Sequence, residues 1–341
     1  MTLHRIATLI LILLALLPQA KGTMRIDSLM DELSTTITQR GAFEQRKEDL
    51  LHQLRERLSN TDDDEVRFLV MNDLFDEYRP YDTDSALLYC DRREALARKM
   101  NCQDRIVNAM LNKTNVMAQT GMYAEAMETL HKMNRSDIPD ALAQYYYYVV
   151  NNLYNNMADY TINGHDRELY RRISNLYKDS IVDVSQPGSI QYVTNLADLY
   201  TSQHQYAKSV DLLENYLDTA QYTTHDRAKL RYALAHAYRQ KGDEEKYKEN
   251  LIQSAIADQQ ACVREYVSLR ELAMLLYKEG DIHHAHDFLD IAMADAQKGH
   301  ARLRQIELDQ IFPIVNDAYL KEINRQHRTL TILAIVIAFV T

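Results

Sequence analysis

Tryptophan is absent from this chain of 341 residues, and glycine and proline occur only 8 and 5 times. Sandwiches and barrels of β-strands need turn residues every 8–12 positions or so, so the scarcity excludes them and leaves an all-helical protein. Clustered glycine is missing too. The closest pairs, Gly22 with Gly41 and Gly280 with Gly299, are 19 residues apart, whereas a phosphate-cradling loop needs glycines a few residues apart so that backbone N–H groups can approach the anion. Neither a His-Glu-x-x-His nor a Gly-x-Ser-x-Gly segment occurs, so no metalloprotease helix or nucleophile elbow is present. Cysteine is sparse: the odd set of Cys90, Cys102 and Cys262 cannot all pair internally. A Cys90–Cys102 disulfide is open by spacing, but buried free thiols are the preferred reading.

Excess positive charge is lacking as well. The chain holds 39 basic and 49 acidic residues, and without clustered Lys and Arg it has no means of displacing counterions from nucleic acid. What the chain does have is an apolar run near each end. Ile6 to Leu17 follows a weakly basic start and leads through Pro18 to Ala20-Lys21-Gly22, the pattern of a secretory signal peptide, with cleavage expected after Gly22. Loss of residues 1–22 leaves 37 basic against 49 acidic residues, a net charge of −12. Thr329 to Val340 (TLTILAIVIAFV) is a second run of 12 residues. A spanning helix needs about 20, so residues 329–341 are expected to be the start of a transmembrane helix. Lys321, Arg325 and Arg328 precede it, on what would be the external flank.

Between these ends the chain repeats itself. Leu196-Ala197-Asp198-Leu199-Tyr200, Leu234-Ala235-His236-Ala237-Tyr238 and Leu272-Ala273-Met274-Leu275-Leu276 start 38 residues apart, and the same register aligns Leu213, Leu251 and Leu289. Two helices and a polar turn recur in each unit. With the upstream step Gly121-Met122-Tyr123-Ala124-Glu125-Ala126, the turns fall near Asp82, Gly121, Gly164, His204, Gly242 and Gly280, about six units. Pro80, Pro139, Pro187 and Pro313 are expected between helices or at their starts, where a missing N–H costs little. Residues 23–60, with Ile26, Leu29, Met30, Leu33 and Ile37 at helical spacing and then Leu50, Leu51, Leu54 and Leu58, predict an N-terminal helical cap. The repeats then occupy 61–300, and a connecting helix spans 301–328.

A Leu-x-x-aromatic on the first helix, Gly in the turn and small residues on the second resemble tetratricopeptide repeats, although the period exceeds the usual 34 and Trp is missing. The fold expected is therefore a tetratricopeptide-like α-solenoid of helix pairs. Ile26-Asp27-Ser28-Leu29, Phe43-Glu44-Gln45-Arg46-Lys47-Glu48, the tyrosine-rich centre and Ile323-Asn324-Arg325-Gln326-His327-Arg328 before the apolar run resemble the membrane-anchored tetratricopeptide transcriptional regulators of Bacteroidetes. That resemblance implies an exported, inner-membrane-anchored chain with its repeats in the periplasm. They would bind a protein or peptide partner and signal through the membrane; a non-signalling envelope scaffold is the alternative. No catalytic residue, cofactor or nucleic-acid partner is expected.

Two local features carry candidate chemistry. Tyr145 to Tyr148 with Asn151, Asn152, Tyr154, Asn155 and Asn156 is the most unusual composition in the chain. At helical spacing Leu142, Tyr146, Val149, Leu153 and Met157 form a core stripe, and Tyr147, Asn151 and Tyr154 share another face. Those three are the candidate binding residues, through aromatic rings and amides, with packing against a neighbouring repeat as the bland alternative. His283, His284 and His286 beside Asp281 and Asp287 are the one cluster of metal-ligand types, yet the expected place at an interhelical turn makes them solvated polar residues. Asp62-Asp63-Asp64-Glu65 lacks the alternate ligands and central Gly of an EF-hand. It is expected to start a helix, with carboxylates at the positive end of the dipole.

Overall fold

The computed structural model describes residues 24–264 and 267–340, and its ordered elements there are helices alone. In chain order they are α1 (24–38), α2 (Arg40–Ser59), α3 (Asp64–Tyr78), α4 (Thr83–Lys99), α5 (Gln103–Gln119), α6 (Tyr123–His131), α7 (Ala143–Tyr160), α8 (Gly164–Val184), α9 (Ile190–Ser202), α10 (Tyr206–Thr219), α11 (Thr224–Lys241), α12 (Glu244–Gln260), α13 (Ser268–Glu279), α14 (Ile282–Lys298) and α15 (Arg302–Val340). Residues 1–22, where the signal peptide is expected, lie outside the described residues.

Local chemistry sets the helix ends. Asp63 caps α3 by accepting from the backbone N–H groups of Glu65 and Val66, and Asp64 and Glu65 occupy the first turn; the acidic run is thus a helix start. At the turn between α11 and α12, Gly242 takes φ +84° and the Asp243 N–H donates to the Tyr238 carbonyl at 3.0 Å. This left-handed closure favours a residue without a Cβ. Gly121 and Gly280 repeat it, and His204 adopts the same sign of φ between α9 and α10. Leu213, Leu251 and Leu289 are each fully buried on the second helices. Pro80, Pro139 and Pro187 lie outside the α-helices, but Pro313 sits inside α15. There it leaves the Asp309 carbonyl without its usual donor, on a side of the helix that faces solvent.

The helices fall into two compact units. The smaller holds residues up to Lys47 with Gln186–Cys262, the larger Glu48–Ser185 with Val263–Thr341. The segment expected as one N-terminal cap is therefore divided inside α2. In the smaller unit α1 meets α12, where Arg25 pairs with the buried Glu249 at 2.6 Å. In the larger unit the pairs α3/α4, α5/α6 and α7/α8 pack in succession, and α13, α14 and the first half of α15 form a second group. From Asn324 to Phe339 every residue of α15 is exposed. No helix among the described residues is long and apolar enough to cross a membrane; residues 329–339 of the apolar run lie exposed at the end of α15.

Candidate functional site

Helix α7 divides into stripes, each with its own neighbour. Val149, Val150 and Leu153 are buried and form the apolar seam. To one side of it Tyr147, Asn151 and Tyr154 turn towards α8, the other helix of their own pair. Asn151 Nδ2 donates to the Ser174 carbonyl and hydroxyl at 2.8 and 2.9 Å. The Tyr147 ring meets Tyr177, the Tyr154 ring meets Tyr170, and the Tyr147 hydroxyl accepts from Arg135 at 3.0 Å. The three expected binding residues do share a face, but that face locks α7 to α8, and the amide of Asn151 is occupied there.

The other polar stripe of α7 lies roughly 140° away, counting 3.6 residues per turn, and is directed at α5. Tyr145 donates to Asn112 Oδ1 at 2.6 Å, Asn152 to Asn115 Oδ1 at 2.8 Å, and Asn156 to the Ala118 carbonyl at 3.2 Å. Asn108, one turn before Asn112, accepts from Arg93 at 2.8 Å. Arg93 is only 1% exposed. It lies over the rings of Phe68 and Phe75, and its Nε and Nη1 have no partner. Burial pulls its pKa down, opposed by Cys90 and Asp76; burial also raises the Asp76 carboxyl. The side chain of Asn115 is wholly buried with Nδ2 unpaired. Such groups are costly unless something polar reaches them.

Between the α5 stripe and the α8 stripe lies an arc of α7 that is half-buried at Tyr148 and Asn155 and exposed at Asp159. Tyr148, stacked on Tyr145 at 6.2 Å between centroids, leads to Asn155 and Asp159 along this arc. Arg171 of α8 closes it by donating to Asn155 Oδ1 at 2.6 Å and to Asp159 Oδ1 at 2.5 Å. The arc offers one phenol ring, one carboxamide that also donates to Asp159 Oδ2 at 3.1 Å, and one neutralised ion pair, a lining that stacks and hydrogen-bonds without net charge. A groove of ≈ 450 Å³ between α4, α5 and α6 differs in kind. Its floor is Ile106, Val107 and Met110, and its cations are already paired: Arg98 with Glu94, Lys113 with Asp91 and Lys132 with Glu128. The Tyr/Asn run is visible in the sequence, but its phase does not say which stripe packs against α5, which against α8, and which lies between.

The histidines of α14 are not solvated turn residues as a set. His284 bonds to Asp281 at 2.7 Å in the helix cap, but His286 stacks on Tyr319 of α15 at 4.1 Å and bonds to Asn316 at 3.2 Å, and His283 meets the edge of Tyr319. They fasten α14 to α15. Among the described residues no group of three or more His, Cys, Asp or Glu side chains is arranged to hold a metal. No disulfide joins Cys90, Cys102 and Cys262.

Helix pairs closed by left-handed turns, with buried small and apolar residues at a recurring register, define a tetratricopeptide-type repeat protein. Residues 37–310 match the family described as the SusR N-terminal TPR domain, a tetratricopeptide family in Bacteroidetes, and the chain belongs to it. No curated protein matches the chain significantly.

Proposed function

We propose that this chain is the input half of a membrane-anchored transcriptional regulator, and that it works by binding a protein or peptide partner in the periplasm, not by catalysis. The arc of α7 from Tyr148 to Asp159 carries this reading. Its phenol ring and carboxamide suit the main chain and neutral side chains of an extended segment, and the ion pair at its end supplies a polar stop. Export by residues 1–22 and anchorage through the apolar end of α15 complete the reading, since a helix that leaves the repeats fully exposed over Asn324–Phe339 needs an apolar surrounding for Thr329–Val340.

A photo-crosslinking side chain placed at Tyr148 in intact cells, with Leu176 on the exposed side of α8 as control, tests the binding face. A discrete partner band from position 148 and none from 176 is expected; the same bands from both positions, or none from 148, would refute it. The mature N-terminus is expected at Thr23 and the protein in the carbonate-resistant membrane fraction. An unprocessed chain in the soluble fraction would overturn the export and anchoring parts alone.

A further inference from the structure

The segments that flank α13 and α14, together with the start of α15, meet the interhelical turns of the first three pairs of their unit. At the α3/α4 turn the Gly299 carbonyl accepts from the Thr83 N–H at 3.0 Å. Arg264 lies 3.7 Å over the Tyr81 ring, donates to its hydroxyl at 2.8 Å, and its backbone N–H donates to the Pro80 carbonyl at 2.7 Å. At the α5/α6 turn Leu303 covers Gly121, where an added Cβ would come 3.6 Å from Leu303 Cδ1. At the end of α7 the Tyr160 hydroxyl donates to Glu307, which also receives Arg270 and Arg304. Leu303 and Glu307 are four apart and so share one face of α15, while Gly299 meets the first turn from the link between α14 and α15.

The third contact differs from the other two because it is ionic and largely buried: the Glu307 and Arg270 side chains are only 15% and 18% exposed. A carboxylate between two guanidinium groups with a phenol on one oxygen is stable only when every partner is present; withdrawing one leaves charge in a poorly solvated place. Packed interfaces of this kind switch between discrete arrangements instead of deforming gradually. Tyr160 is the last residue of α7, and its neighbour Asp159 is the end of the arc, bound to Arg171 at 2.5 Å. A partner that drew Asp159 or Arg171 into new bonds would therefore shift the turn that carries Tyr160.

We propose that the Tyr160–Glu307–Arg270–Arg304 cluster is a latch that reports the state of the α7 arc to α15. This rests on the binding face assigned above, and it makes α15 an output element whose entry is held by three repeats and whose far end leaves the body. Hydrogen exchange on the full chain in detergent tests it without any partner. Tyr160→Phe, which keeps the ring, should speed exchange across 302–312 roughly tenfold, the expected loss of one bond to a buried charge, while α4 stays protected as evidence of folding. Asp159→Asn, which breaks the pair with Arg171, should speed the same α15 amides several-fold in the native background and have no further effect on top of Tyr160→Phe. Unchanged exchange across 302–312 in Tyr160→Phe would overturn the latch; acceleration by Tyr160→Phe but none by Asp159→Asn would overturn its link to the arc. Because these readouts need no partner, they succeed or fail independently of crosslinking at Tyr148.

Discussion

Single side chains show best where sequence spacing and tertiary fit part company. Gly299 has an ordinary φ of −84°, so nothing local demands glycine. The demand comes from space: a Cβ there would lie 2.9 Å from Arg264 Cβ and 3.1 Å from the Tyr81 carbonyl. Gly299→Ala is expected to cost about 1–3 kcal/mol in urea unfolding, whereas Gly41→Ala, with open space around it inside α2, should stabilise by about 0.5–1 kcal/mol; equal effects would refute the packing argument. The thiols divide in the same way. Burial pushes Cys90 up to about 12 and Cys262 is buried, while Cys102 is half-buried. The thiolate is the reactive form, so one thiol should label at pH 8 in the folded protein and all three after denaturation. Rapid labelling of two or more without denaturant would contradict this.

At the scale of elements, α7 is the instructive case. Its composition marks the site in the sequence, and its periodicity separates a core stripe from polar ones, but two polar stripes exist and only neighbours decide their fates. Tyr147, Asn151 and Tyr154 meet α8; Tyr145, Asn152 and Asn156 meet α5; the arc from Tyr148 to Asp159 lies between. Asn151→Ala, which removes both bonds to Ser174, is expected to destabilise by about 1–2 kcal/mol, and Tyr147→Phe, which loses a bond to an exposed arginine, by less than about 0.5 kcal/mol. Neither should change crosslinking from position 148. If Tyr147→Phe abolished that crosslink with stability intact, the face towards α8 would be the binding one after all. Helix α15 teaches the complementary point. The apolar run at its end and the basic residues before it are plain in the sequence, whereas the aromatic bed that His283, His286 and Tyr319 make for it is not, because those residues are 33–36 positions apart and meet only when α14 and α15 pair.

For the whole molecule, stability should hold through neutral pH and fall at alkaline pH. Cys90 and Tyr160 are both held near 12, by burial in each case and for Tyr160 also by its bond to Glu307, and burial raises Tyr123, Tyr145 and Tyr238. Each is neutral in the folded chain. Its contribution is complete below the unfolded values of 9 for the thiol and 10 for the phenols, and is lost as pH rises towards the folded values. Urea midpoints should therefore be flat to about pH 9 and drop between about 9 and 12; a midpoint that rises over that range would contradict the assignments. Glycine scarcity, apolar periodicity and turn chemistry act over neighbouring residues, so the helical class, the register of about 38 residues and the six turns are legible in the sequence. Only the tertiary structure decided which arc of α7 lies between its two packed stripes, that α1 groups with α9–α12, and that residues 264–307 return to the turns after α3, α5 and α7. Those pairings join residues up to 224 positions apart, such as Arg25 and Glu249, and depend on how packed helices meet, which no local spacing encodes.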